Sequence, residues 1–284
     1  MRHGFLLIDK PAGKTSHDIV AMVRRALSEQ HVGHLGTLDP AATGLLAVAV
    51  GRKALKVIEL FSGLTKEYDA QVRFGAVSST YDREGVIEEM KIPMGWVIPE
   101  HVQIQRLIAD RFVGTISQIP PPFSAVHVGG ERAYKMARQG KSFSIPPREV
   151  EVSECRILDY DYPHLALHVV CGSGTYIRSL AHDLGQLLRC GGYLEGLRRT
   201  AVGSWSLAHA VSPDAMSWSR VLPLKDVLAP LPRRDMTEEE CKAIRFGQNI
   251  PGTVQPRTIG WHAELPVAIL EPTATGETHA RKVL

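Results

Sequence analysis

Cysteine is scarce in this chain of 284 residues. Cys155, Cys171, Cys190 and Cys241 lie far apart and form no C-x-x-C pair, which argues against a disulfide framework and against a structural zinc site. Long apolar runs are missing as well. None approaches the ~18 residues that a membrane span needs. The N-terminal run Phe5–Ile8 stops at Asp9, so no secretory signal is read there. A cytoplasmic protein without membrane attachment is therefore expected. Gly172-Ser173-Gly174 lacks the third glycine and the βαβ setting of a dinucleotide site, and Gly44 to Lys53 lacks the spacing and the trailing Ser/Thr of a P-loop. No G-x-S-x-G motif marks a nucleophilic serine. His31 and His34 have no local third ligand, so no metal is expected. Redox, nucleotide-driven and zinc mechanisms all lose support. Excess charge is small too: a formal +3 neither demands nor excludes nucleic acid, because local clustering matters more than the total. Internal repeats and low-complexity tracts are absent.

What is present suits a sizeable core. Hydrophobic residues make up 44% of the chain, too many for disorder, and the length allows one large domain, or a large one with a small companion. Phe5-Leu6-Leu7-Ile8 reads as a buried strand and Asp9 to Lys14 as a turn. Ser16 is placed to cap a helix in which Ile19, Val20, Val23, Ala26 and Leu27 follow at helical spacing. Leu45–Val50 reads as a buried strand and Arg52–Leu60 as a helix. Tyr68–Phe74 alternates like a strand, Gly75 to Gly85 is a polar loop, and Pro99–Ile108 looks helical. Gln118-Ile119-Pro120-Pro121-Pro122 cannot be a central strand, because three prolines remove three donors. Glu131–Gln139 follows as a helix on which Arg132, Lys135 and Arg138 recur at i, i+3 and i+6 and so share one side; Lys141 and Arg148 extend the charge. That side is either solvated or an RNA grip. Leu165–Cys171 reads as a strand and Tyr176–Leu188 as a helix. Pro223–Pro232 reads as a linker, beyond which a short helix from Met236 to Gly247 and two strands, near Val267–Leu270 and Ala280–Leu284, are expected.

The most distinctive stretch is Gly33-His34-Leu35-Gly36-Thr37-Leu38-Asp39-Pro40-Ala41-Ala42-Thr43-Gly44. Asp39 is its only acid, and Pro40 pushes Asp39 out of the α region. The stretch is either a surface turn or a stiff loop that displays one carboxylate at the core. It resembles the catalytic motif of the bacterial tRNA pseudouridine-55 synthase (TruB) family. DKPAGKTSHD, QIPPPFSAVHVGGERAYKMARQGK, CGSGTYIRSLAHDLG and LRRTAVG resemble further motifs of that family, in order along most of residues 4 to 203. Three places differ from its usual pattern: Ser79 stands where an Asp is usual, Phe123 where Tyr is common, and His127 where Lys is common.

The resemblance implies an α+β protein: a pseudouridine synthase fold with a central mixed, largely antiparallel sheet over residues 1–232. It further implies an RNA-gripping insertion at about 117–150 and a small PUA-like RNA-binding domain at 233–284. It implies isomerisation of uridine to pseudouridine at position 55 in the T loop of tRNA, with no cofactor and no obligate protein partner. Asp39 would be the essential catalytic residue and Arg178 its ionic partner. Tyr68 would stack on the target base, near the carbon that loses its proton. Tyr176 and Leu197 would line the base pocket, and His34 would stack where the flipped nucleotide left the T loop. Arg132, Lys135, Arg138 and Lys141 would grip phosphates of the T-arm. Taken alone, Tyr68, Tyr176 and Leu197 read equally well as ordinary core residues, and His34 as a structural histidine. Two rivals stand beside this reading. One is a guide-dependent relative acting on ribosomal RNA, which the short N-terminus and reduced C-terminus argue against. The other is a non-catalytic RNA-folding protein in which Asp39 is only a turn residue.

Overall fold

The computed structural model describes residues 3–284. Its first half confirms the apolar runs as strands and moves some of their neighbours. β1 (Gly4–Lys10) is buried almost throughout, and a tight turn leads to α1 (Ser16–Leu27). The helix cap is Thr15 rather than the expected Ser16: Thr15 Oγ1 accepts from the Asp18 N–H, and the Asp18 carboxylate accepts from the Thr15 N–H. β2 (Val32–Leu35) and β3 (Thr43–Val50) flank the Asp39 loop. α2 (Arg52–Val57) gives way to a 3-10 turn at Ile58–Phe61, so the helix expected to reach Leu60 ends early. β4 (Lys66–Phe74) is followed by the short hairpin of β5 (Ala76–Ser78) and β6 (Ile87–Glu89). α3 (His101–Arg111) starts two residues later than read, with Glu100 as its cap.

β7 (Gly114–Gln118) ends where the prolines begin. β8 (His127–Val128) and β9 (Glu131–Arg132) form a small hairpin, which claims the first two residues of the helix read from Glu131; α4 is therefore Ala133–Arg138. β10 (Arg148–Asp161) and β11 (His164–Cys171) pair as long neighbours, and α5 (Ile177–Leu187) and β12 (Gly192–Val202) follow. β13 (Trp205–Ser206) and β14 (Leu222–Pro223) are short additions to the same sheet.

These strands make one ten-stranded sheet in the order β14-β1-β3-β12-β4-β11-β10-β7, with β2 on β3 and β13 on β12. Its pairs are antiparallel except β12 with β3, which run parallel with Arg199 opposite Gly44. The sheet is thus mixed and largely antiparallel, as the resemblance implied. Gly44 makes that join possible: its φ is +99°, and a Cβ there would lie 2.3 Å from the Arg199 carbonyl oxygen. Alternation in β4 and β11 sends Tyr68, Ala70, Val72, Leu165, Leu167 and Val169 to one face, where α3 and α5 cover them. α5 reaches β12 closely because Gly185 and Gly192 meet; a Cβ on Gly185 would come within 2.2 Å of the Gly192 nitrogen.

The proline-rich stretch from Pro223 is not a linker. β14 and α6 (Leu224–Leu228) occupy it, and Leu224, Val227 and Leu228 are buried. Beyond it, β15 (Arg233–Asp235), α7 (Glu238–Arg245), β16 (Thr258–His262), β17 (Leu265–Pro272) and β18 (Thr278–Val283) build a second sheet, ordered β15-β16-β17-β18. Only its last two strands were legible. β15 has no apolar residue, and β16 is covered on both faces and so shows no alternation. Ile259, Trp261 and Ile269 of this sheet share one core with Phe5 and Val202 of the main one and with Val57 and Phe61 of α2 and the turn after it. The small C-terminal sheet therefore leans on the large one, as its size predicts.

Candidate active site

A cleft of about 430 Å³ opens beside the N-terminus of α5, and the Asp39 loop forms one wall. The loop is stiff for identifiable reasons. The Ala42 N–H donates to the Asp39 carbonyl at 3.1 Å, closing a turn around Pro40. Ser16, freed from capping, is buried under the loop; its hydroxyl donates to the Leu38 carbonyl at 3.0 Å and accepts from the Leu38 N–H at 2.9 Å. Lys10 is fully buried and donates to the carbonyls of Pro11, Lys14 and Pro40 at 3.0, 2.7 and 3.1 Å. Burial pushes the Lys10 ammonium down to about 8, against the pull of Asp39 and Glu84. The DKPAG turn thus lies beneath the loop and holds it by its backbone. Ser16→Ala should strand both buried Leu38 groups at roughly 1–3 kcal/mol each. Urea unfolding of the variant should show a stability loss of that order with an unchanged m-value.

Asp39 and Arg178 meet as expected. Arg178 Nε lies 3.0 Å from Asp39 Oδ2, and its Nη2 lies 3.5 Å from Oδ1. The guanidinium also reaches Asp82 Oδ2 at 3.3 Å and donates to the carbonyls of Thr80 at 3.2 Å and Phe123 at 3.0 Å. Arg178 therefore joins three segments of chain at one point, with its side chain 7% exposed, against 39% for that of Asp39. Asp82 is itself fixed by the Thr80 hydroxyl at 2.6 Å and the Glu84 N–H at 3.0 Å. Burial raises the Asp39 carboxyl above the usual carboxylate range, Arg178 pulls it back, and the neighbouring Asp82 charge adds to the rise. The Ser79 hydroxyl, where an Asp is usual in the resembled motif, accepts from the Val86 N–H at 3.0 Å and closes the same loop.

Tyr68 faces the cleft from β4, 9% exposed, and Leu197 faces it, half-buried, from β12. Tyr176 caps α5 and also lines the cleft; the Gln118 side chain clamps its backbone, accepting from the Tyr176 N–H at 2.8 Å and donating to its carbonyl at 3.0 Å. His34 is not among the cleft-lining residues. It sits on β2 against His17, with ring centroids 5.4 Å apart. Arg132, Lys135, Arg138 and Lys141 are all exposed on the insertion, away from the cleft lining. Lys141 pairs with Glu131 at 3.1 Å, and the Arg138 guanidinium lies 5.6 Å from the centre of the Tyr134 ring.

Sequence reasoning passed over Arg199, Lys10, Asp82 and Gln118 as site residues. Buried Arg, Lys, Asp and Gln leave no periodic signal; only a buried position identifies them, and burial of a single polar residue is not legible in one sequence. Among the described residues no group of three or more His, Cys, Asp or Glu is placed to hold a metal.

Solved structures share this arrangement of chain. One is a chain of a Cbf5-Nop10-Gar1 complex, with a TM-score of 0.72 at 23% identity, covering 99% of this chain and 84% of that one. Another belongs to an H/ACA RNP bound to a substrate RNA containing 2'-deoxyuridine, at 0.70 and 21% over the same shares. At that identity they show the shared fold alone. The family models go further: residues 24–177 match the TruB family pseudouridylate synthase N-terminal domain, and residues 178–231 match the tRNA pseudouridylate synthase B C-terminal domain. Curated proteins called tRNA pseudouridine synthase B are 39% identical in Dehalococcoides mccartyi, over 99% of this chain and 96% of the relative. In Mycobacterium tuberculosis they are 39% identical over 87% and 84%. The chain belongs to the TruB family of pseudouridylate synthases.

Proposed function

We propose that this enzyme isomerises uridine to pseudouridine at position 55 in the T loop of tRNA, in the cytoplasm, with the Asp39–Arg178 pair at the centre of the reaction. The observation that carries the proposal is one ion-paired carboxylate, lifted by a braced loop to the edge of a cleft walled by Tyr68, Tyr176 and Leu197. In this isomerisation uracil leaves its N-glycosidic bond, turns, and rejoins the ribose through carbon. Nothing is gained or lost overall, so a carboxylate, a base pocket and a route for one proton meet its needs. The target nucleotide leaves its stack at a cost of a few kcal/mol. Tyr68 stacks on the detached uracil near C5, and Tyr176 and Leu197 confine it.

Residues 1–232 form the catalytic domain in this reading, and 233–284 a reduced RNA-binding module. The 117–150 insertion grips the T-arm by its backbone, since a folded RNA hairpin is read mainly by shape and phosphates. His34, half-buried on β2 beside the loop, stacks in the gap that the flipped nucleotide leaves. Tritium release from a tRNA transcript labelled at uracil C5, with no cofactor added, tests the activity directly. A transcript with C substituted at position 55 tests the site. No release from the unsubstituted transcript would leave the RNA-folding rival standing.

The grip has its own test. Each phosphate contact contributes about 0.7–0.9 to the slope of log affinity against log salt. The exposed Lys141–Glu131 pair is worth no more than about 1 kcal/mol, so a phosphate can displace Glu131. The double variant Arg138→Ala/Lys141→Ala should therefore bind the T-arm with a slope shallower by roughly 1.4–1.8. An unchanged slope in a filter-binding titration would return those charges to solvent.

A further inference from the structure

Gln118 ends β7, is 2% exposed, and directs both arms of its amide at one residue of another element. Its Oε1 accepts from the Tyr176 N–H at 2.8 Å, and its Nε2 donates to the Tyr176 carbonyl at 3.0 Å. Tyr176 has φ −102° and ψ 107°, so its N–H and C=O point the same way, as in a strand. A side-chain amide presents an acceptor and a donor side by side and matches that pair. Among the described residues the Tyr176 N–H has no other partner, and no side-chain hydrogen bond caps α5. The contact continues past Gln118. The Ser179 hydroxyl donates to the Ile119 carbonyl at 2.8 Å and Arg178 Nη2 to that of Phe123 at 3.0 Å. The first turn of α5 thus holds residues 118–123 along their length.

The Tyr176 ring belongs to two structures. It lines the cleft, and it packs against the apolar cluster of Val126, Ala133 and Ile145, in which it is the member from outside residues 117–150. Apolar contact is non-directional and leaves a ring room to slide; hydrogen bonds fix direction. We infer that Gln118 is a positioning residue for the reaction: its amide fixes the Tyr176 backbone, and so sets the ring that confines the uracil in register with the stretch that grips the RNA. The inference rests on the reading of the cleft as a pseudouridine synthase site. Gln118 does not line the cleft, so its effect on the base passes through Tyr176.

Single-turnover conversion of saturating T-arm RNA tests this in a cycle of Gln118→Met, Tyr176→Leu and the double variant, on samples shown to be folded by circular dichroism. Gln118→Met removes both hydrogen bonds. Its rate should fall by roughly 10²-fold, the penalty for a misplacement of about 1 Å near a reacting centre. T-arm affinity and its salt slope should not change, because the phosphate contacts are untouched. In the Tyr176→Leu background the same substitution should slow the rate little further, since the ring it positions is gone; that non-additivity measures the coupling. A brace with no role in placing the ring would slow both backgrounds equally. That outcome, a parent-like rate in Gln118→Met, or a loss confined to affinity overturns the inference. If Gln118→Met does not fold, Gln118→Glu replaces it in the cycle. Its carboxylate still accepts from the Tyr176 N–H and no longer donates to the carbonyl, which keeps the Leu180 N–H at 3.2 Å. The loss should be smaller and equally dependent on the ring. If Tyr176→Leu turns over too slowly to measure, fluorine NMR of protein labelled with 3-fluorotyrosine decides. The Tyr176 signal, assigned by its loss in Tyr176→Phe, should shift or broaden in the Gln118 variant, and an unmoved signal refutes the role. A parent enzyme that forms no pseudouridine at all refutes the reading of the site instead.

Discussion

Asp39→Asn should leave the fold and T-arm binding intact and abolish turnover. The substitution is nearly isosteric, and the loop does not depend on the carboxylate for its shape: Ser16 holds Leu38, Lys10 and Gly13 hold the Pro40 carbonyl, and the Ala42 N–H closes the turn. Arg178 keeps Asp82 and the carbonyls of Thr80 and Phe123 when Asp39 is neutralised. Binding draws mostly on phosphates, which Asp39 does not touch in the proposed complex. An amide can neither attack carbon nor take a proton. Product formation should fall at least ~10²–10⁴-fold, and further if Asp39 is a nucleophile. The opposite pattern, with modest instability and full activity per folded molecule, is what a mere turn residue predicts. Single-turnover assays on samples matched by circular dichroism separate the two.

Removing Arg178 should produce the second large effect, and its sign is fixed by the groups around it. Asp39 acts as a carboxylate, and burial already holds its pKa above the usual carboxylate range. Arg178 lowers that pKa, and the Asp82 charge raises it. Without the guanidinium both carboxylates lack their shared cation, so the Asp39 pKa climbs further. The acid limb of the rate profile should then move to higher pH by about 1–3 units, the range for an arginine beside a carboxylate. At a fixed pH below the new limb the rate drops tenfold per unit. Arg178→Lys should behave much like Arg178→Ala, because three donors on a point charge cannot serve two carboxylates and two carbonyls in a plane. Both variants lose stability, toward the lower end of about 3–5 kcal/mol, since Asp39 is only partly buried. A pH–rate profile of Arg178→Lys that overlays the parent would disprove the geometry.

Local order in this chain was legible because it is written in short-range pattern. The apolar run Leu45–Val50, the alternation of Tyr68–Phe74 and the helical spacing from Ile19 to Leu27 recur as β3, β4 and α1. Periodicity records which side of an element is buried. The Asp39–Pro40 loop was legible as well, from its lone acid, its proline and its resemblance to a family motif. What the sequence could not decide is what depends on contact between distant segments. Ser16 looked like a cap, yet Thr15 takes that role and Ser16 bonds a loop 22 residues away. Pro223–Pro232 looked like a linker, yet Leu224 and Leu228 close a core shared by both sheets. Arg199 looked like one basic residue in LRRTAVG, yet it is buried between β3, β4 and the Asp39 loop. Arg178 and Asp39, 139 residues apart in the chain, were implied as a pair by the resemblance alone, and the fold brings them within 3.0 Å. A buried polar side chain costs free energy unless its partners are in place. Those partners come from other strands and loops, so tertiary structure decided which further polar residues, Lys10, Asp82, Gln118 and Arg199, join Asp39 and Arg178 around the cleft.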